Sequence, residues 1–77
     1  MTLEEKLQPI LTQVFGSPPP ADPHVPRTEV AGWTSVAHLN LVLELEDAFD
    51  VRLEVEDIEG LGSVSDIVAT LERLGAQ

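Results

Sequence analysis

The sequence contains no cysteine and only four lysines and arginines among its 77 residues. The absence of cysteine excludes disulfides, thiolate nucleophiles and cysteine-ligated zinc sites. The four cations face fourteen aspartates and glutamates, which gives a formal net charge of −10. This charge repels nucleic acids and anionic membrane surfaces, and it opposes self-association. We therefore expect a monomer that binds neither nucleic acid nor membrane.

Long hydrophobic runs are also missing, since no stretch approaches the roughly 18 apolar residues of a membrane-spanning helix. Residues 1–15 lack the basic start and apolar core of a secretory signal. The chain is too short for a second domain, and its 43% hydrophobic content is typical of a globular protein. We expect one cytoplasmic domain over residues 1–77.

Three segments carry the apolar spacing of amphipathic helices. The first begins at Thr2, whose spacing to Glu5 fits a capping box. It ends at Phe15, where Gly16 follows as a C-terminal cap. Pro9 lies opposite the apolar stripe, so the pattern predicts a single helix that bends around the core.

The second helix is predicted over residues 35–49, where the apolar arc covers more than half of the circumference and indicates a central helix. Residues 51–61 predict one or two helical turns, and residues 63–74 predict an amphipathic helix that begins at a serine cap. The fold class is therefore all-α, a small four-helix bundle of three longer helices and one short helix.

A long loop separates the first two helices. Five of the six prolines lie between residues 17 and 27, so neither a helix nor a central strand can persist there. A connection over residues 16–34 is long for a compact domain and is typical of a functional loop or a packed crossover. We expect Val25, Val30 and Trp33 to attach this loop to the core.

The residue types of common active sites are sparse. The histidines are His24 and His38, and Ser35 lies three residues before His38, so these two side chains can meet on one helix face. No orienting carboxylate or oxyanion site accompanies them, and we expect the chain not to be an enzyme. A calcium loop starting at Asp57 fails in register, because Val68 stands where glutamate is required. We expect no metal site.

Acidic residues are concentrated in the middle of the chain. Eight of the fourteen acids lie between residues 44 and 59, opposed there only by Arg52. Such a run is either a solvated face or a docking surface for basic patches, whose electrostatics would raise the association rate. The residues alone leave both interpretations open.

Ser35 stands where the proline-rich loop meets the second helix, directly after Trp33 and Thr34. A serine at this junction is typical of an N-cap or first-turn residue, where it bonds to free amides. The same position suits a covalently attached phosphate, because the exposed amides and the positive helix end stabilise an anion.

Residues 32–51 closely resemble the second-helix region of acyl carrier proteins, with the sequence Gly-Trp-Thr-Ser-Val-Ala-His-Leu-Asn-Leu-Val-Leu-Glu-Leu-Glu-Asp-Ala-Phe-Asp-Val. In that family Asp-Ser-Leu opens the helix and a Leu-Glu-acidic-x-Phe pattern closes it. The other helices and the long loop also fit, so the resemblance covers nearly the whole chain. Here Thr34 replaces the aspartate and Val36 replaces the leucine, and the Gly-Gly-x-Ser pattern of peptidyl carriers is absent.

The resemblance implies a carrier whose Ser35 receives 4′-phosphopantetheine from coenzyme A through a magnesium-dependent phosphopantetheinyl transferase. The thiol of this arm would hold acyl intermediates of fatty-acid, polyketide or other specialised biosynthesis as thioesters. Acyl-loading and acyl-processing enzymes would dock through basic patches on the acidic second helix. The predicted partner-binding residues are Thr34, Val36, Asn40, Glu44, Glu46 and Asp47. Glu44 is added from the charge pattern rather than from the resemblance.

Two other hypotheses stay open. One is a carrier-like interaction domain that is not modified and docks through its acidic second helix, which the threonine at position 34 motivates. The other is an unrelated acidic helical protein that dimerises through its apolar stripes.

Overall fold

The structure, a computed structural model, describes residues 2–76. Its helices are α1 (Leu3–Phe15), α2 (Ser35–Phe49), α3 (Val55–Glu59) and α4 (Val64–Arg73), with a 3₁₀ turn at Arg27–Glu29. No strand occurs in this part of the chain. The predicted all-α architecture of three longer helices and one short helix is confirmed.

Helix α1 is closed at both ends by the residues that the sequence indicated. The Thr2 hydroxyl accepts a hydrogen bond from the Glu5 amide at 3.2 Å, and the Glu5 carboxylate accepts one from the Thr2 amide at 3.3 Å. Gly16 follows the helix with a φ of +75°, and its amide donates to the Thr12 carbonyl at 3.0 Å. The helix continues through the exposed Pro9, because this residue faces away from the core.

Helix α2 buries only one side of its wide apolar arc. The side that faces the core consists of Ala37, Leu41, Val42, Leu45 and Phe49. On the opposite side Val36, Leu39 and Leu43 are 63% to 68% exposed. We call these three residues the apolar stripe. The expectation of a central helix with neighbours on several sides is therefore wrong for the apolar stripe, which no neighbour among the described residues covers.

The core is formed mainly by leucines from three helices and the segment before α4. Its fully buried large side chains are Leu7, Leu11, Leu41, Leu45, Leu61, Ile67 and Leu71. From the long loop, Trp33 is buried and its ring lies 4.9 Å from that of Phe15, while Val30 packs against the core. These two residues attach the loop as predicted, whereas Val25 is half-buried and does not join the core.

Gly32 allows the end of the loop to lie against the end of α1. It has a φ of +84°, a conformation that side-chain-bearing residues rarely adopt. A Cβ atom at this position would lie 2.0 Å from the carbonyl oxygen of Phe15. The close approach places Trp33 in the core and thereby fixes where α2 begins.

Helix α3 contributes no fully buried residue, although Ile58 packs half-buried against the core, and polar contacts also hold the helix in place. The Asp57 carboxylate accepts a hydrogen bond from the Glu54 amide at 3.0 Å and forms an ion pair with Arg73. The amide bond first, and then the arginine, hold the pKa of Asp57 below its ordinary value. Helix α4 begins at Ser63, whose hydroxyl accepts a hydrogen bond from the Asp66 amide at 3.2 Å, as predicted.

Among residues 2–76, none of the helices is both long enough and apolar enough to span a membrane.

Candidate functional site

Ser35 is exposed and is the first residue of α2. The residue that caps the helix is Thr34, whose hydroxyl accepts a hydrogen bond from the Ala37 amide at 3.1 Å. Of the two roles predicted for Ser35, the first-turn position is therefore confirmed and the N-cap is wrong. None of the described residues forms a hydrogen bond with the Ser35 hydroxyl. Because Thr34 does the capping, the serine oxygen is left available at an open helix end.

The first turn of α2 also differs electrostatically from the other α-helices in the described chain. The first turns of α1, α3 and α4 contain acidic residues, and that of α2 contains none. A carboxylate in the first turn offsets the partial positive charge of the free amides. Although the chain contains fourteen acidic residues, none of them lies in the first turn of α2 to offset its partial positive charge. An anion attached to Ser35 would be stabilised there.

A groove of about 470 Å³ opens beside Ser35. The residues that line it include Arg27, Trp33, His38 and Leu39. We call it the serine groove. Apolar, aromatic and cationic groups thus surround the one serine that the sequence analysis singled out, and no carboxylate is among the described residues that line the groove.

The His38 ring joins three separate parts of the fold. The indole nitrogen of Trp33 donates a hydrogen bond to His38 Nδ1 at 2.9 Å, and His38 Nε2 lies 2.9 Å from the carbonyl oxygen of Ile58. An indole N–H can only donate, so Nδ1 accepts and the neutral ring carries its proton on Nε2. That proton is donated to Ile58. The bonds fix the tautomer and tie the long loop and α2 to α3.

Arg27 completes this arrangement from the other side of the groove. Its Nη1 atom lies 3.2 Å from His38 Nε2 and donates to the Leu61 carbonyl at 3.3 Å. Because Nε2 already carries a proton, the approach to His38 is a contact between two donors and not a hydrogen bond. The backbone amide of Arg27 also donates to the Gly62 carbonyl at 2.8 Å. Arg27 is therefore fixed to the segment that precedes α4.

The histidines do not form a catalytic pair with Ser35. Both ring nitrogens of His38 face Trp33 and Ile58, so neither is directed at the serine. His24 lies exposed in the long loop. Among the described residues, no group of three or more histidines and acids is arranged to hold a metal ion. The site offers an accessible hydroxyl and a groove, without a nucleophile–base pair.

The residues predicted to bind partners lie mostly on one exposed surface of α2. Asn40, Glu44 and Asp47 are exposed beside the apolar stripe, which includes the predicted Val36. We call the apolar stripe and these three polar residues the α2 outer face. Thr34 is exposed but engaged as the helix cap. Leu39 and Leu43 also belong to this surface. They were not among the predicted docking residues, although their spacing of three and seven residues from Val36 places them on the same side of a helix.

Glu46 differs from the other predicted docking residues because it is half-buried. Its carboxylate accepts a hydrogen bond from the Leu53 amide at 2.9 Å. Glu46 therefore braces the segment between α2 and α3, and one of its carboxylate oxygens is already hydrogen-bonded within the protein.

Comparison with known proteins identifies a family and a relative. The family model described as "Phosphopantetheine attachment site" matches residues 5–71. An acyl carrier protein from Exiguobacterium sp. (strain ATCC BAA-1283 / AT1b) is 44% identical over 41 residues. That match covers 53% of this chain and 52% of the relative, so the matched part spans about half of the relative's length. No solved structure matches the chain significantly.

Proposed function

This chain belongs to the acyl carrier protein family, and we propose that it holds acyl groups as thioesters on a 4′-phosphopantetheine arm attached to Ser35. Members of this family are carriers and not catalysts, and their domain carries the arm covalently. The observation that carries the proposal is the exposed Ser35 hydroxyl, free of hydrogen bonds to the described residues, at a helix start without acidic residues. The acyl groups are intermediates of fatty-acid, polyketide or other specialised biosynthesis.

The residues around Ser35 fit the attachment of a phosphate-bearing group. Thr34 holds the first turn in place through the Ala37 amide, so the serine oxygen does not have to leave a capping bond when it is modified. The open amides of α2 then face the phosphodiester. The bound arm supplies the thiol that a chain without cysteine lacks. This division of labour explains how a protein with no thiol of its own can take part in thioester chemistry.

The threonine at position 34 does not by itself argue for an unmodified interaction domain. Threonine and aspartate are both favoured N-cap residues, so Thr34 performs the capping that the family's aspartate would perform. Family membership also removes the hypothesis of an unrelated acidic helical protein. The unmodified domain is kept as an outcome of the experiment below.

We also propose that the α2 outer face docks on basic patches of the phosphopantetheinyl transferase and of the acyl-loading and acyl-processing enzymes. Three large apolar side chains stand 63% to 68% exposed beside Glu44 and Asp47. Desolvation of the apolar stripe provides affinity, while the flanking carboxylates raise the association rate and set the orientation. Glu46 makes a smaller contribution because Leu53 already occupies part of its carboxylate.

The attachment site is tested by intact mass before and after incubation with coenzyme A, magnesium and a broad-specificity phosphopantetheinyl transferase. The wild-type chain is expected to gain one phosphopantetheine, and Ser35→Ala is expected to gain none. Ser65→Ala is the matched control, because Ser65 lies in the first turn of α4 as Ser35 lies in that of α2. This control should be modified like the wild type.

A mass increment on Ser35→Ala would place the arm elsewhere and overturn the assignment. If the wild type stayed unmodified under the same conditions, the function would instead be that of an unmodified interaction domain that docks through α2. Circular dichroism of Ser35→Ala guards against unfolding, and its helical signal should equal that of the wild type because Thr34 retains the cap.

The docking face is tested by charge reversal at Asp47, which is exposed and forms no hydrogen bond through its side chain with the described residues. Asp47→Lys should slow association with the transferase at low salt, and the difference from wild type should shrink as salt is added. Glu72→Lys makes the same charge change on an exposed residue of α4 and should have little effect. Equal association rates for the two variants, measured by stopped-flow kinetics, would contradict the proposal.

A further inference from the structure

Arg27 lies in the serine groove with Ser35 and is the single cationic residue among the described residues that line it. We propose that Arg27 binds the phosphodiester of the attached arm and directs the arm along the serine groove. The proposal rests on attachment at Ser35, as proposed above. It assigns a ligand, a phosphodiester oxyanion, to a side chain outside the attachment motif.

The fold holds the guanidinium in place before any ligand arrives. Arg27 is half-buried. Its backbone amide donates a hydrogen bond to the Gly62 carbonyl, and its Nη1 atom donates one to the Leu61 carbonyl. The His38 ring, itself fixed by Trp33 and Ile58, packs against the same Nη1 atom. A side chain that is already ordered loses little conformational entropy when it binds an anion.

The bonds to the protein leave most of the guanidinium donors unused. A guanidinium has five N–H donors, and the Arg27 guanidinium uses Nη1 for its hydrogen bond to the Leu61 carbonyl. Among the described residues, none accepts a hydrogen bond from Nε or Nη2, and no carboxylate pairs with Arg27. Arg73, by contrast, is paired with Asp57. In a chain with fourteen acids, Arg27 thus retains donors for an external anion.

The phosphodiester is the anion that fits this position. The proposed attachment joins the phosphate to the Ser35 oxygen, so a singly charged group enters the same groove that Arg27 lines. Arginine binds phosphate oxygens through pairs of parallel N–H bonds. The rings of Trp33 and His38 and the side chain of Leu39 provide an apolar surface for the uncharged part of the arm.

A terminal carboxylate on the acyl group would have the same chemistry. It would lie at the far end of the arm, however, whereas the phosphodiester is bonded to a residue of the groove itself. We therefore assign Arg27 to the phosphodiester, and the experiment below separates the two anions.

The experiment follows the Nε–H signals of arginine by ¹⁵N NMR in the full chain, before and after attachment of the arm has been verified by intact mass. On attachment, the Arg27 signal is expected to shift and its hydrogen exchange to slow. The Arg52 signal is the internal control, because Arg52 is exposed and does not line the groove. The chemical shift of the Arg52 signal should not change.

The arm is then loaded with succinyl, which ends in a carboxylate, or with butyryl, which has the same carbon number and no charge.

Variants provide the second measurement, the phosphorus-31 resonance of the attached phosphodiester. Arg27→Gln should move this resonance toward its position in the urea-unfolded modified protein. Arg52→Gln removes the same charge outside the groove and should leave the resonance unchanged. Arg27→Lys, which keeps the charge but loses the paired donors, should lie between the wild type and Arg27→Gln.

Each outcome has a definite meaning. An absent mass increment overturns the attachment site and this inference together. A verified attachment with an Arg27 signal that is the same before and after overturns this inference alone, because the wild-type measurement does not depend on how well a variant folds. A response to succinyl that is absent with both the free thiol and butyryl would make Arg27 a carboxylate-binding residue and also overturn the assignment to the phosphodiester.

Discussion

The starts of α2 and α4 use the same capping chemistry in opposite surroundings. In α2 the Thr34 hydroxyl accepts a hydrogen bond from the Ala37 amide, and in α4 the Ser63 hydroxyl accepts one from the Asp66 amide. Ser63 is only 7% exposed, and Asp66 adds an acid to its first turn. Thr34 and the following Ser35 are exposed, and no acid stands in their first turn. The start of α4 is thus part of the core. The start of α2 leaves the Ser35 hydroxyl accessible for modification, next to a helix end whose partial positive charge no acidic residue of its first turn offsets.

The largest expected effect concerns the glycines that precede the two starts. Gly32→Ala would force a Cβ atom to within 2.0 Å of the Phe15 carbonyl at a φ of +84°, so we expect a loss of at least about 2 kcal/mol in the free energy of unfolding. Gly62→Ala meets only the flexible Asp66 carboxylate at 3.2 Å and should cost much less. Urea unfolding of both variants measures the difference. Similar losses of unfolding free energy in the two variants would show that the backbone before α2 can shift to accommodate a side chain as readily as the backbone before α4.

The second prediction separates stability from modification at the two serines. Ser63→Ala removes the buried α4 cap and should lower the free energy of unfolding by about 1–2 kcal/mol while leaving attachment of the arm intact. Ser35→Ala should change it by less than about 0.5 kcal/mol, because the residue is exposed and does not cap α2. Chemical denaturation gives the two values. A reversed order of the losses would refute the contrast between the helix starts.

A smaller effect is expected when α2 is given the first-turn acid that α4 already has. At saturating transferase, where the association rate does not limit the reaction, Val36→Asp should slow attachment of the arm relative to the neutral Val36→Asn by roughly two- to fivefold, which corresponds to about 0.3–1 kcal/mol of interaction with the helix end. Val55 is also 68% exposed and opens α3, so Val55→Asp and Val55→Asn form the matched pair. Transfer rates are followed by intact mass. Equal rates for the two Val36 variants would mean that the uncovered helix end does not assist the reaction.

The smallest effect is a loss of stability at acidic pH, and it concerns the start of α3. There the Asp57 carboxylate is already hydrogen-bonded to the Glu54 amide and paired with Arg73. The Glu54 amide and Arg73 hold the pKa of Asp57 below its ordinary value of 3.8. Asp57 therefore stabilises the fold above that pH, and the contribution is lost as the pH falls through the lowered pKa. Below pH 3.8 the wild type should lose more stability than Asp57→Asn, as measured by thermal unfolding across the acid range. Parallel pH dependences of stability for the wild type and Asp57→Asn would show that the bonds of Asp57 to the Glu54 amide and to Arg73 do not stabilise the fold.

Local sequence patterns were sufficient to predict the helices. The caps at Thr2, Gly16 and Ser63 lie where residue spacing places them, because capping bonds join residues only a few positions apart. The position of Ser35 at the first turn of α2 followed from the same local logic. The role of Thr34 as the cap was missed, since two adjacent hydroxyl residues can each perform it and only the backbone geometry decides.

The rest of the site depends on contacts between distant segments. His38 bonds to Ile58, which is 20 residues away, and Arg27 bonds to Leu61 across 34 residues. No periodicity in the sequence encodes such pairs. The exposure of Leu39 and Leu43 was missed for a related reason, because a helical wheel treats every apolar residue as buried until the neighbouring helices are placed.

Trp33 gives this molecule an intrinsic optical probe. The chain contains one tryptophan and no tyrosine, so its indole fluorescence comes from a single ring. That ring stacks on Phe15 at one side and donates its N–H to His38 at the other. Emission from unlabelled protein will therefore report events at the serine groove, and loading, unloading and partner release can be timed in one cuvette without a dye.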